Sequence, residues 1–137
     1  MGRVISTENL ATERNRLLKA MALALREMAK KSSYDEESRD LAAFLVLALD
    51  NVAESIERSV LAWEKRGYWV KADRFRMEWA WAESLRTKMR AAVNTEKPEE
   101  IAMAASTLSD KLKGVKVSER HRLGSPWHGA WAQLTAE

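Results

Sequence analysis

The sequence has no cysteine in its 137 residues, which excludes disulfide frameworks, thiolate catalysis and cysteine-ligated metals. Glycine and proline are scarce, at five and two, too few for an all-β chain that must turn about every ten residues. Histidine occurs only twice. Neither His121 nor His128 has glutamate three positions before it, as the Glu-x-x-His motif of di-iron bundles requires; those positions hold Ser118 and Ser125. A His-Glu-x-x-His zinc motif and a glycine-rich phosphate loop are also missing. The longest apolar run, Leu41 to Leu49, is nine residues, half of the roughly 18 that suggest a membrane span. No charged-then-apolar leader opens the chain, so a soluble, cytoplasmic protein is expected. Gly2 and Ser6 fit the short myristoylation pattern. No cofactor is implied.

What the chain does have is helical spacing. With 46% hydrophobic and 31% charged residues, it predicts one all-α domain, an up-down bundle of four main helices. The first is expected from Ser6 or Thr7 to about Lys31, with Leu10, Leu17, Met21, Ala24 and Met28 at helical intervals. Ser33 and Glu36 are spaced as a capping box for the second, which ends at Gly67. Its apolar seam is Ala42, Leu45, Leu49, Val52, Ile56, Val60 and Trp63. A third helix is expected without interruption from Tyr68 to Asn94, on a seam of Tyr68, Ala72, Phe75, Trp79, Ala82, Met89 and Val93, with Arg86 its one polar member. Pro98 suits the first turn of the fourth, which carries Ile101, Ala105, Leu108 and Leu112 before Gly114. Residues 1–113 are thus the bundle. Residues 114–137 form an extension in which Ser125-Pro126 would cap a short helix bearing Trp127, Trp131 and Leu134, packed on the bundle or on a partner.

Charge is sorted by helix. Residues 1–33 carry a net +4, residues 34–66 a net −4 and residues 67–94 a net +3. On the first helix, Arg16, Lys19, Arg26 and Lys30 follow 3-4-3-4 spacing around Leu23, a cationic stripe about 21 Å long at 1.5 Å per residue. Glu13 and Glu27 lie off it. Such a row is either a solvated face or one that pairs with the acidic second helix, or a match to successive phosphates of a nucleic-acid strand. On the third helix, Trp81 stands roughly 200° from Trp79. It shares a second face with Val70, Arg74, Met77 and Lys88, which is either covered by the C-terminal extension or a neighbouring helix, or serves as a binding hot spot or a base-stacking platform. The Leu41–Leu49 run is apolar all round, so its helix is surrounded; Phe44 and Leu47 lie off the main seam and are candidate subunit contacts. Asp50, Glu54 and Glu57 align as a carboxylate ladder, without evident acidic partners on neighbouring helices; a solvated acidic face is the expected reading, and no metal site is assigned.

Arg122 and His128 resemble the Arg-x(4–6)-His signature of the HEPN ribonucleases, helical domains that dimerise and cleave RNA with that pair. Gly124-Ser125-Pro126 intervenes where that family begins a continuous helix. In size, helical architecture and charge layout the chain is similar to the small subunits of multi-subunit CRISPR effector complexes, non-catalytic bundles that stack along the guide RNA. That resemblance implies no enzymatic activity and partners among other protein subunits and RNA or single-stranded backbone. It implies phosphate contacts by Arg16, Lys19, Arg26, Lys30, Arg74 and Lys88, with Phe44, Leu47 or Trp81 meeting neighbouring subunits; Met77, on Trp81's face, is grouped with them. A protein-only adaptor or structural oligomer is the alternative.

Overall fold

The computed structural model describes residues 7–136, so Gly2 and Ser6 lie outside the described residues. Six helices follow one another: α1 (Thr7–Ala29), α2 (Glu36–Lys65), α3 (Trp69–Glu78), α4 (Ala80–Asn94), α5 (Pro98–Lys111) and α6 (Ala130–Thr135). There is no strand among the described residues, and no helix of theirs is long and apolar enough to cross a membrane. The architecture is an all-α helical bundle.

Helix α2 is the hub, packing against α1, α3, α4 and α6, while α5 lies on α4 and touches α1. This explains the all-round apolar run. Leu41, Ala42, Ala43, Leu45, Val46, Ala48 and Leu49 are buried within the chain's own bundle. Phe44 and Leu47 are half-buried and rest on the same core, so the cover they need is supplied largely from within.

Local chemistry sets the ends of α2. Its N-cap is Asp35 rather than Ser33: the Asp35 carboxylate accepts from the Ser38 backbone N–H at 2.9 Å. Ser33 contributes its carbonyl instead, accepting from the Ser38 hydroxyl at 3.2 Å. A charged acceptor beside Lys31 (2.8 Å) outcompetes a hydroxyl for the cap. At the other end the Gly67 N–H donates to Glu64 and the Tyr68 N–H to Trp63. This Schellman closure needs a residue at positive φ, and Gly67 sits at +80°.

The expected third helix is two helices. It breaks at Trp79 (φ −106°, ψ 9°). In an unbroken helix, rings two residues apart point to nearly opposite sides; here the Trp79 and Trp81 ring centroids are 5.6 Å apart. Tyr68, placed in the seam by spacing, caps α3 and is exposed, whereas Ala72, Ala82, Met89 and Val93 are buried.

Beyond α5 the chain runs irregularly across the bundle, with Val115, Val117 and Leu123 half-buried against the core and Trp127 buried. The terminal helix starts at Ala130, later than Ser125-Pro126 suggested. Its cap comes from another helix: Asp40 of α2 accepts from the backbone N–H groups of Gly129 (3.2 Å) and Trp131 (2.9 Å).

Candidate binding surfaces

The cationic stripe of α1 is not a continuous exposed ladder. Leu23, at its centre, is only 1% exposed and belongs to the core. Arg26 is half-buried because the tail crosses it, and its guanidinium donates to the Val117 carbonyl at 3.1 Å. Lys30 pairs with Glu27 at 3.2 Å, so a carboxylate expected to stand apart does engage the stripe. Arg16 and Lys19 remain exposed and form no ion pair with a described residue. Arg16 lines a cleft between α1 and α2 with Glu13, Glu54 and Arg58, a charge-balanced setting.

Two of the three carboxylates in the α2 ladder are paired by α3 and α4. Asp50 pairs with Arg90 and, at 3.7 Å, with Arg86. Glu57 takes Arg76 at 3.1 Å, and Glu54 faces the Arg16 cleft. Among the described residues no group of three or more His, Asp or Glu side chains is placed to hold a metal ion. Arg122 and His128 are both exposed on the irregular segment, not on one helix.

On the former third helix, Met77 is 78% exposed, Arg74 and Lys88 are exposed, and Trp81 is half-buried against Trp79. Trp81 therefore does not share an open face with Met77. The break that brought the two tryptophans together turned it inward.

Two features escaped the sequence reading. One is Arg14. It occupies the buried seam of α1, four residues from both Leu10 and Leu18, and is 6% exposed. Its guanidinium donates to the Ser55 hydroxyl at 2.8 Å and to that of Ser59 at 3.5 Å. It also lies over the Phe75 and Trp79 rings, at 4.9 and 5.3 Å. No carboxylate among the described residues pairs with it, its Nε has no hydrogen-bond partner there, and burial pushes its pKa down. Trp63, edge-on to Phe75 at 4.7 Å, and Trp81 extend the aromatic row on either side. The 4-4 spacing Leu10–Arg14–Leu18 was the available signal.

The other is the corner where α2 turns into α3. Tyr68, Trp69 and Val70 are 55%, 61% and 67% exposed, and Leu61 of α2 is also exposed. Lys65, Arg66, Lys71 and Arg74 flank Tyr68, Trp69 and Val70 in sequence and form no ion pair with a described residue, Lys71 lying 4.6 Å over the Trp63 ring. Glu64, Asp73 and Glu78 are the acidic residues of this stretch. The signal was the run Lys65-Arg66-Gly67-Tyr68-Trp69-Val70-Lys71, in which Trp69 and Val70 fall off the core seam. Comparison with family models, with curated proteins and with solved structures gave no match.

Proposed function

We propose that the chain is a non-catalytic helical-bundle subunit of a larger assembly that contacts nucleic-acid backbone, and that the α2–α3 corner is its principal contact. The observation that carries this reading is the exposed Tyr68–Trp69–Val70 segment flanked by Lys65, Arg66, Lys71 and Arg74, which form no ion pair with a described residue. Cations one turn apart hold phosphates, and exposed aromatic rings among them add stacking of unpaired bases. Arg16 and Lys19 of α1 are further exposed cations that form no ion pair with a described residue. Arg26 and Lys30 are already engaged by Val117 and Glu27 and contribute less.

A protein-only adaptor is the second reading, favoured by exposed aliphatic side chains, Val70 and Met77 on α3 and Leu61 on α2, which bury well against protein but neither stack with bases nor pair with phosphate. Anisotropy titration of a labelled 20-nucleotide single-stranded RNA separates the two. Trp69→Ala should weaken binding by roughly five- to a hundredfold, as loss of one stacked base does. Affinity unchanged by Trp69→Ala and by Lys65→Glu/Arg66→Glu would transfer the corner to a protein partner.

A further inference from the structure

Between the middle of α2 and the first turns of α4 lies an open groove of about 660 Å³, within the roughly 300–1,000 Å³ typical of small-molecule sites. Its apolar lining is Ala53, Ile56, Trp79, Ala80 and Ala82, with the Ser84 hydroxyl at the rim. The groove exists for two reasons. Alanines stand at several positions where larger residues would close it. Trp79, the largest residue at this level, is engaged by Arg14 and Phe75.

The charges around the groove are unequal in what they leave available. Glu57 is held by Arg76 at 3.1 Å and Glu83 by Arg86 at 2.6 Å. Lys88 is exposed and forms no ion pair with a described residue. Against the Trp79 wall stands Arg14, buried and held by hydroxyls and rings rather than by a carboxylate. A buried charge is weakly screened and acts over a longer range than an exposed one. The carboxylates at the rim are thus neutralised, while two positive charges, one at the rim and one behind the wall, are not.

We propose that this groove binds a small organic anion, with a ring-bearing apolar body against Trp79 and the alanines and its carboxylate at Lys88. The site is separate from the α2–α3 corner and stands whether or not that corner binds nucleic acid. Its affinity follows the ligand's charge: an anion is preferred to its neutral isostere, and a cation is disfavoured by Lys88 and Arg14 together.

The test is a chemical-shift titration of the full chain with 2-naphthoate, 2-naphthamide and 2-naphthylmethylammonium. The naphthoate should bind about five- to tenfold tighter than the amide, the worth of one partly exposed charge-assisted contact, with the ammonium weakest. The shifts should centre on the Trp79 indole N–H and the amides of Ser84 and Thr87. Lys88→Gln should bring naphthoate and naphthamide to within about twofold while Lys88→Arg keeps the preference. Ala80→Phe, at an exposed position, should fill the groove and weaken all three ligands without changing the thermal midpoint. Equal affinity for the three probes, shifts centred elsewhere, or no saturable binding at millimolar concentration would each overturn the proposal.

Discussion

Arg14 and Trp79 meet across the interior, the guanidinium carbon 5.3 Å from the indole centroid. This contact joins the α1–α2 hairpin to the joint between α3 and α4, and it places a full charge in the core with only hydroxyl and π partners. Burying a cation without a carboxylate is costly, and two hydroxyl bonds and two ring contacts offset only part of that cost. Arg14→Met should therefore be neutral or stabilise the fold by about 1–2 kcal/mol in denaturant unfolding. Arg14→Glu, which sets a carboxylate against the negative ring faces, should lower stability by about 3 kcal/mol or more. A large loss in Arg14→Met would show that the cation, and not its aliphatic stem, holds the joint.

The terminal helix depends on one carboxylate that is remote in sequence. Asp40 accepts from the N–H groups of Gly129 and Trp131, and neighbouring Arg39 lies 4.7 Å over the Trp131 ring. Asp40→Ala should release α6 while α1–α5 stay folded. Trypsin should then cut faster within residues 113–122, and tryptophan emission should shift to the red as Trp127 becomes hydrated. Unchanged cleavage and emission would mean that burial of Trp127 and Leu134 suffices to hold the tail.

Acid should loosen the entry to α2. Lys31 and the Ser38 backbone N–H hold the Asp35 carboxyl at about 2, below its ordinary 3.8. A depressed carboxyl stabilises the fold above its unfolded value, and that contribution disappears as pH falls through the folded one. Thermal midpoints should thus fall between about pH 4 and pH 2, and Asp35→Asn should flatten that limb. The same bonds, to Asp35 first and then Glu37, raise the Lys31 pKa above 10.5. Its contribution is complete below 10.5 and fades only above it, so Lys31→Met should flatten the alkaline limb. Parallel profiles for Asp35→Asn and wild type would remove Asp35 as the acid-sensitive cap.

The helices were legible because burial follows period. On α2, Leu45, Leu49, Val52, Ile56 and Val60 are buried at the spacing that marks a helix face, and so are Ile101, Ala105 and Leu108 on α5 with Leu112 at its C-cap. Less legible was whatever depends on residues distant in the chain. Spacing placed Arg26 on an open stripe, but a carbonyl 91 positions later covers it. Spacing also made Trp79 and Trp81 opposite, but the contacts of Trp79 with Arg14 and Phe75 accompany a break that joins them. Arg14 was missed because arginine is so rarely fully buried that composition assigns it to the surface. At the corner, spacing sets Val70 and Arg74 on a second face but puts Tyr68 in the core seam and gives Trp69 no face, whereas both rings are exposed beyond the Gly67 turn.

The central claim, that the α2–α3 corner holds nucleic-acid backbone, is tested most directly by the salt dependence of affinity for single-stranded RNA. Four phosphates met by Lys65, Arg66, Lys71 and Arg74 predict a log–log slope near −3, at about −0.7 per phosphate on a single strand. Lys65→Glu/Arg66→Glu should flatten that slope by about half, to a similar degree across base sequences. Trp69→Ala should lower affinity with little change in slope, because stacking releases few ions. A slope indifferent to the two charge reversals, with affinity unmoved by Trp69→Ala, would contradict the claim and leave the corner as a protein-docking surface.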